Sequence, residues 1–137
     1  MLKFDKKNTL IYLAIPYTGS EAVSFEIANK VAGVLMQRGV IIFSPISHSH
    51  SIAEMCALPV EWHFWEYQDR LFIERSEELW VICCEGWERS KGVKAEIDYA
   101  NELGKRVRFL AVDDKGDHME ITDRAGQDFE TIQIEID

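Results

Sequence analysis

No apolar run in this 137-residue chain approaches the roughly 20 residues of a membrane-spanning helix, so no such span is expected. The opening stretch, MLKFDKKNTL, lacks a long apolar core and a small-residue cleavage site, which argues against a secretory leader. Cysteine is scarce and odd in number. Cys56, Cys83 and Cys84 make no disulfide framework and no Cys-x-x-Cys metal spacing. They read as reduced thiols of a cytoplasmic protein, with Cys83 and Cys84 inside a buried strand. Basic residues are also few. Fifteen Lys and Arg face 24 Asp and Glu, for a net charge of −9. General nucleic-acid binding needs a basic surface and is therefore not expected, although a local basic cluster can still hold one phosphate. Ile15-Pro16-Tyr17-Thr18-Gly19 has neither the Walker nor the dinucleotide glycine spacing. That disfavours a nucleoside triphosphatase or a nicotinamide enzyme. There is no Ser-x-x-Gly elbow for a hydrolase triad, no repeat, no linker and no second domain.

What is present is ordinary for a globular protein, at 47% hydrophobic and 28% charged residues. The length suits one domain over residues 1–137. Residues 9–15 (TLIYLAI) read as a buried strand. Residues 20–38 read as an amphipathic helix with Val23, Ile27, Val31, Val34 and Leu35 inward and Gly39 just past its end. A strand follows at 40–44, then a long loop at 45–59 (PISHSHSIAEMCALP) with room for one helical turn. A helix at 61–75, a strand at 79–84, a loop at 85–89, a helix at 90–103 and a strand at 106–112 complete the series. Residues 129–136 (FETIQIEI) alternate and suggest a last edge strand after an acidic, glycine-containing stretch. This order predicts a single-domain three-layer α/β/α fold of flavodoxin or Rossmann type, with a mostly parallel four- to five-stranded sheet. Ligands of such sheets bind beyond the carboxyl ends of the strands, here near residues 12–17, 44–50 and 85–90.

Two carboxylates break the expected pattern. At about 100° per residue, Val93, Ile97, Ala100 and Leu103 define one stripe of the 90–103 helix, and Glu96 falls inside it. The other charges of that segment, Lys94, Asp98 and Glu102, fall outside. In the 61–75 helix, Asp69 falls within the arc of Trp62, Trp65, Phe72 and Ile73. An inward carboxylate costs several kcal/mol unless it is paired or has a raised pKa. A satisfied buried acid is the plain alternative for either one alone. Two on adjacent helices favour an active site.

Other residues join them. Ser90 is a good N-cap, and with Arg89, Lys91 and Gly92 at a helix start it also suits a phosphate. His48 and His50 have a spacing that supplies two metal ligands if extended, but no third ligand is evident. His48 is therefore read as a polar loop residue near a substrate, and neither a metal site nor a cofactor is expected. Tyr12, mid-strand, is either a core aromatic or a hydroxyl donated to a catalytic carboxylate. Trp62, Trp65 and Trp80 read mainly as core. Trp87 lies in the expected active-face loop, where its ring could stack on a base.

Taken in order, these pieces resemble the nucleoside 2-deoxyribosyltransferase-like superfamily. Its members include deoxyribosyltransferases and deoxynucleoside 5′-monophosphate N-glycosidases. The resemblance runs from Tyr12 to about Leu110: Tyr12-Leu13-Ala14-Ile15-Pro16-Tyr17, then Asp69, Gly86-Trp87, Ser90-Lys91-Gly92-Val93, Glu96 and Ala100. SPISHSHS and GWERSKG give it the look of a bacterial or phage branch. The resemblance implies that Glu96 is a nucleophile on the anomeric carbon and that Tyr12 orients it. Asp69 would contact the sugar or protonate the leaving base, and Ser90 would hold the 5′ end. Pro16, Tyr17, His48, Trp87, Arg89 and Gly92 complete the expected substrate contacts. It further implies a nucleoside or nucleotide substrate and a homo-oligomer, dimer or tetramer. The acidic position common before the third strand is Glu77 here. Ser24 and Phe25 stand on the first helix where many relatives have an arginine. A non-catalytic nucleotide-binding or sensing protein on the same fold is the alternative.

Overall fold

Alternation along β1 (Leu10–Ala14) decides which helices meet which face of the sheet. Ile11 and Leu13 face one way, into a core built with Ala28, Val31, Ala32 and Leu35 of α1 (Glu21–Gln37). Tyr12 and Ala14 face the other way, against Ile73 of α3 (Trp62–Arg75) and Val93 and Ala100 of α4 (Lys91–Glu102). Tyr12 is therefore on the side of the two helices that carry the inward acids. The computed structural model describes residues 5–112, 119–122 and 130–131.

The remaining elements are β2 (Ile41–Phe43), α2 (Pro45–Cys56), β3 (Glu78–Ile82), β4 (Arg106–Val112), β5 (Met119–Thr122) and β6 (Glu130–Thr131). Among the described residues they form one sheet in the order β2-β1-β3-β4-β5-β6. The first four strands are parallel, and β5 and β6 add on antiparallel. Helices cover both faces, so the three-layer α/β/α architecture expected from the sequence is the one observed. Chain direction across the sheet reverses at β1, which has β2 on one side and β3 on the other. A crevice opens at such a point beyond the carboxyl ends.

The opposite, amino-terminal ends are closed by acids. Glu77 Oε1 accepts the Leu10 N–H at 2.7 Å. Glu78 Oε1 accepts from Arg108 Nε at 2.8 Å and from Trp80 Nε1 at 3.0 Å. Glu77 therefore braces β1 at the end away from the crevice. Among the described residues no helix is long and apolar enough to cross a membrane.

Several expectations change. Residues 45–59 are mostly helical, not a loop. Ser44 caps α2, its side chain accepting from Ser47 N, and Pro45 takes the first-turn position where no N–H is needed. Ser49, His50 and Ala53 bury the inner face. Serine and histidine are weak helix formers, so local propensity understates a helix held by its cap and by packing on α1. Val23, expected inward, is 60% exposed, and Ser24 takes its place at 2%. The small residues Ser24, Ala28 and Ala32, four apart, turn toward the interior instead. Leu103, expected in the inward stripe, is the half-exposed C-cap of α4. Cys83 and Cys84 lie just past β3 and are half-buried, not strand core. Of the expected strand at 129–136, Glu130–Thr131 pairs with β5. The rest of that segment lies outside the described residues.

Ala57 ends α2 in the left-handed region at φ 52°, the one non-glycine residue with positive φ among those described. An L-side chain there costs about 1–2 kcal/mol, offset in part by glycine's greater unfolded-state entropy. Ala57→Gly should stabilise the protein by up to about 1 kcal/mol in urea unfolding. Ser44→Ala should cost about 1 kcal/mol by loss of the cap. Unchanged midpoints for both would mean that α2 does not depend on its ends.

Candidate active site

A cavity of about 710 Å³ lies beyond the carboxyl ends of β1, β2 and β3. The loop after β1 supplies Pro16 and Tyr17, α2 supplies Ser49 and His50, α3 supplies Trp62, Trp65 and Asp69, and α4 supplies Ser90, Gly92 and Glu96. Pro16 breaks the strand ladder because it has no N–H to donate, and the chain turns outward there.

Glu96 is 5% exposed and Asp69 is 7% exposed, so both inward acids are buried at the cavity wall. Tyr12, fully buried, lies behind them and donates its hydroxyl to Glu96 Oε2. Burial pushes the Glu96 carboxyl well above the carboxylate range, and the charge of Asp69 pushes it further. The Tyr12 hydroxyl pulls it back. Burial likewise pushes Asp69 up to about 7, against a lowering hydrogen bond with Tyr12. Burial, followed by the charges of Glu96 and Asp69, holds the Tyr12 phenol well above its ordinary value, so it stays protonated.

Tyr12 has one proton to give, and it goes to Glu96. Asp69 lies close enough for its charge to raise both Glu96 and Tyr12, and two neighbouring buried carboxyls do not both ionise cheaply. Two carboxyls that hold one proton between them divide into an acid and a nucleophile or base. The pair titrates as a unit.

Trp62–Arg75 is tied to α4 from outside the site. Tyr99 Oη donates to Glu74 Oε1 at 2.7 Å, and the Arg70 guanidinium lies 4.9 Å from the Tyr99 ring centre. These contacts fix how α3 and α4 present their acids. At the cavity edge, Gly86 turns the chain at φ 85° into a 3₁₀ turn, Trp87–Arg89. Ser90 follows and caps α4, its Oγ accepting from Val93 N at 3.2 Å. The first amides of a helix have no partner within it, and they carry partial positive charge. Arg89 and Lys91 stand beside them on the cavity wall. Gly92 faces the Trp62 ring, and a Cβ there would lie at ordinary contact distance, 3.6 Å.

Of the residues singled out from the sequence, Glu96, Asp69, Pro16, Tyr17, Arg89, Ser90 and Gly92 line the cavity, with Tyr12 directly behind. Two do not. The Trp87 ring turns into the core against Phe109, 5.4 Å between centroids, because the 3₁₀ turn folds it inward. His48 lies outside the lining and packs toward Phe43. On a helix, residues two apart point to nearly opposite sides, so His48 and His50 diverge and His50 takes the cavity position. The signal for this was Ser44-Pro45, which marks a helix start.

The folded protein holds protons on Glu96 and Asp69 that the unfolded chain has already lost above the ordinary carboxylate range. Stability therefore falls as pH rises from about 4 toward 7. Glu96→Gln and Asp69→Asn should each raise the melting temperature by a few degrees at pH 8 and change it little at pH 5, where both acids are protonated. Thermal unfolding at the two pH values checks this, and equal shifts at both would contradict the shared-proton arrangement.

Comparison with curated proteins gives no match. The family described as Domain of unknown function (DUF1937) matches residues 9–112, a stretch from the start of β1 to the end of β4 that contains every element of the cavity. The chain belongs to that family.

Proposed function

We propose that the protein cleaves or transfers the N-glycosidic bond of a deoxynucleoside or a deoxynucleoside 5′-monophosphate. The observation that carries this reading is the pair of buried acids, Asp69 and Glu96, with Tyr12 donating to Glu96, at the wall of a nucleotide-sized cavity. A retaining glycosidic reaction needs one ionised carboxylate under the anomeric carbon and one proton donor for the leaving group. Glu96 and Asp69 supply them. The resemblance to the nucleoside 2-deoxyribosyltransferase-like superfamily supports the same reading.

A Glu96 carboxylate oxygen attacks C1′ on the face opposite the base. The C1′–N bond breaks, its electron pair stays on the base nitrogen, and Asp69 gives that nitrogen its proton. The sugar is left as an ester of Glu96. Water or a second base then attacks C1′, gives its proton to the Asp69 carboxylate and frees Glu96. Tyr12 holds the charge on Glu96 without becoming ionised itself. The first turn of α4, with Ser90, Arg89 and Lys91, receives the 5′ phosphate. Ser90 and Glu96 are six residues apart on the helix, about 9 Å of rise, a span that fits a phosphate and an anomeric carbon.

Glu96→Ala should lower base release by several orders of magnitude with the fold intact, and Asp69→Asn should lower kcat more than it raises KM. In the parent, kcat/KM should be bell-shaped in pH. It falls on the acid side as the Glu96–Asp69 pair takes up a second proton and on the alkaline side as the pair loses its last one. Chromatography of free base from a panel of deoxynucleosides and their monophosphates measures all three. Turnover by Glu96→Ala near the parental rate would end the covalent reading. Monophosphates should be preferred over nucleosides, and Ser90→Ala should narrow that preference. A parent that prefers nucleosides reduces Ser90 to a helix cap. Nucleotide binding with no base release from any substrate would make the protein a sensor.

A further inference from the structure

Helical periodicity puts Trp62 and Trp65 on the same face of α3 as Asp69, and the ordinary use of two tryptophans on such a face is a core. Among the described residues, neither ring belongs to the two cores that flank the sheet, although Trp80 and Trp87 do. Both are half-buried, and both line the cavity. Positions i, i+3 and i+7 point within about 60° of one another around a helix, so one stripe carries two indoles and the acid. Trp65 stands one turn from Asp69, about 6 Å of rise toward the start of α3.

Trp65 is tied from behind. Its Nε1 donates to Pro59 O at 2.8 Å, and the Phe64 ring meets it edge-on at 4.9 Å between centroids. An indole has one donor and no acceptor. That donor is committed to the connection between α2 and α3, so what Trp65 offers the cavity is ring carbon. Thr18 Oγ1 donates to Val60 O at 3.0 Å and ties the same connection to the loop after β1. Trp62 faces Gly92 in the first turn of α4, beside Ser90.

An acid that protonates a leaving base must reach the base nitrogen, so the base lies beside Asp69. The groups assigned to the phosphate and to the anomeric carbon, Ser90 and Glu96, are both on α4. The base therefore extends along α3, where the neighbour of Asp69 on the cavity face is Trp65. We propose that Trp65 is the base-binding residue of this site and that it selects by stacking. Ring carbon cannot tell an amino group from an oxo group. The larger π face of a purine stacks more strongly than that of a pyrimidine, so the site takes purines over pyrimidines and is indifferent to their exocyclic groups. Trp62, against Gly92, walls the sugar. The inference rests on the nucleotide reading of the cavity and names its base specificity.

The test is calorimetric binding to the catalytically disabled Glu96→Gln protein. The ligands are the monophosphates of deoxyadenosine, deoxyinosine, deoxycytidine and deoxyuridine. Each purine should bind about fivefold or more tighter than either pyrimidine, with adenine and hypoxanthine within about threefold of each other. Adding Trp65→Ala should weaken the purines about tenfold and bring the purine-to-pyrimidine ratio near one, and Trp65→Phe should restore most of both. A merely structural role for Trp65 weakens all four ligands alike and leaves the ratio unchanged. That result, a preference between adenine and hypoxanthine larger than their preference over pyrimidines, or no binding of any nucleotide would each overturn the proposal. The ratios are read without turnover. Purine selection through Trp65 in a parent that releases no base supports this inference while sinking the glycosidic reaction, and base release with no dependence on Trp65 sinks this inference alone.

Discussion

A hydrogen bond from a fully buried tyrosine to a carboxylate buried at the cavity wall organises this protein. Tyr12 and Glu96 come from residues 84 apart, one in the first strand and one in the last helix. Glu96 has little water to stabilise its charge, so the Tyr12 proton is its main support. Asp69 completes the arrangement because its own charge cannot coexist cheaply with that of Glu96. The pair shares a proton, and in the proposed reaction that sharing divides the labour between an acid and a nucleophile.

The fold keeps this arrangement in place at a cost in stability. The sheet parity that sends Ile11 and Leu13 into one core sends Tyr12 to the other face, beneath α3 and α4. The Tyr99–Glu74 and Arg70–Tyr99 contacts then set the two helices against each other. Reversal of the strand order at β1 opens the crevice over these groups. Burial that disfavours the ionised acids in the resting protein is the same burial that would serve the proposed reaction, since charges interact more strongly where water is excluded.

Much of this was legible in the sequence, and the reasons are specific. Glu96 and Asp69 showed themselves as acids inside apolar helical stripes, a signal that depends only on the 3.6-residue period. Tyr12 was legible as the central residue of a buried strand, and its strand parity is what brings it to the acids. α2 was not legible, because a helix held by Ser44, Pro45 and packing on α1 has little propensity or periodicity of its own. Missing that helix led to His48 where His50 stands, since the two diverge only if the segment is helical. Trp87 misled for a related reason. Its place in a loop at the right end of the sheet says nothing about the turn after Gly86 that folds the ring onto Phe109.

The account turns on whether Glu96 bonds to the sugar. Acid quenching of the parent during turnover of a deoxynucleoside monophosphate, followed by mass spectrometry of the peptide that contains Glu96, tests this directly. The account predicts a deoxyribosyl 5′-phosphate ester on Glu96, absent when Glu96→Gln is treated in the same way. Base release with no adduct on Glu96, or an adduct on another side chain, would contradict it.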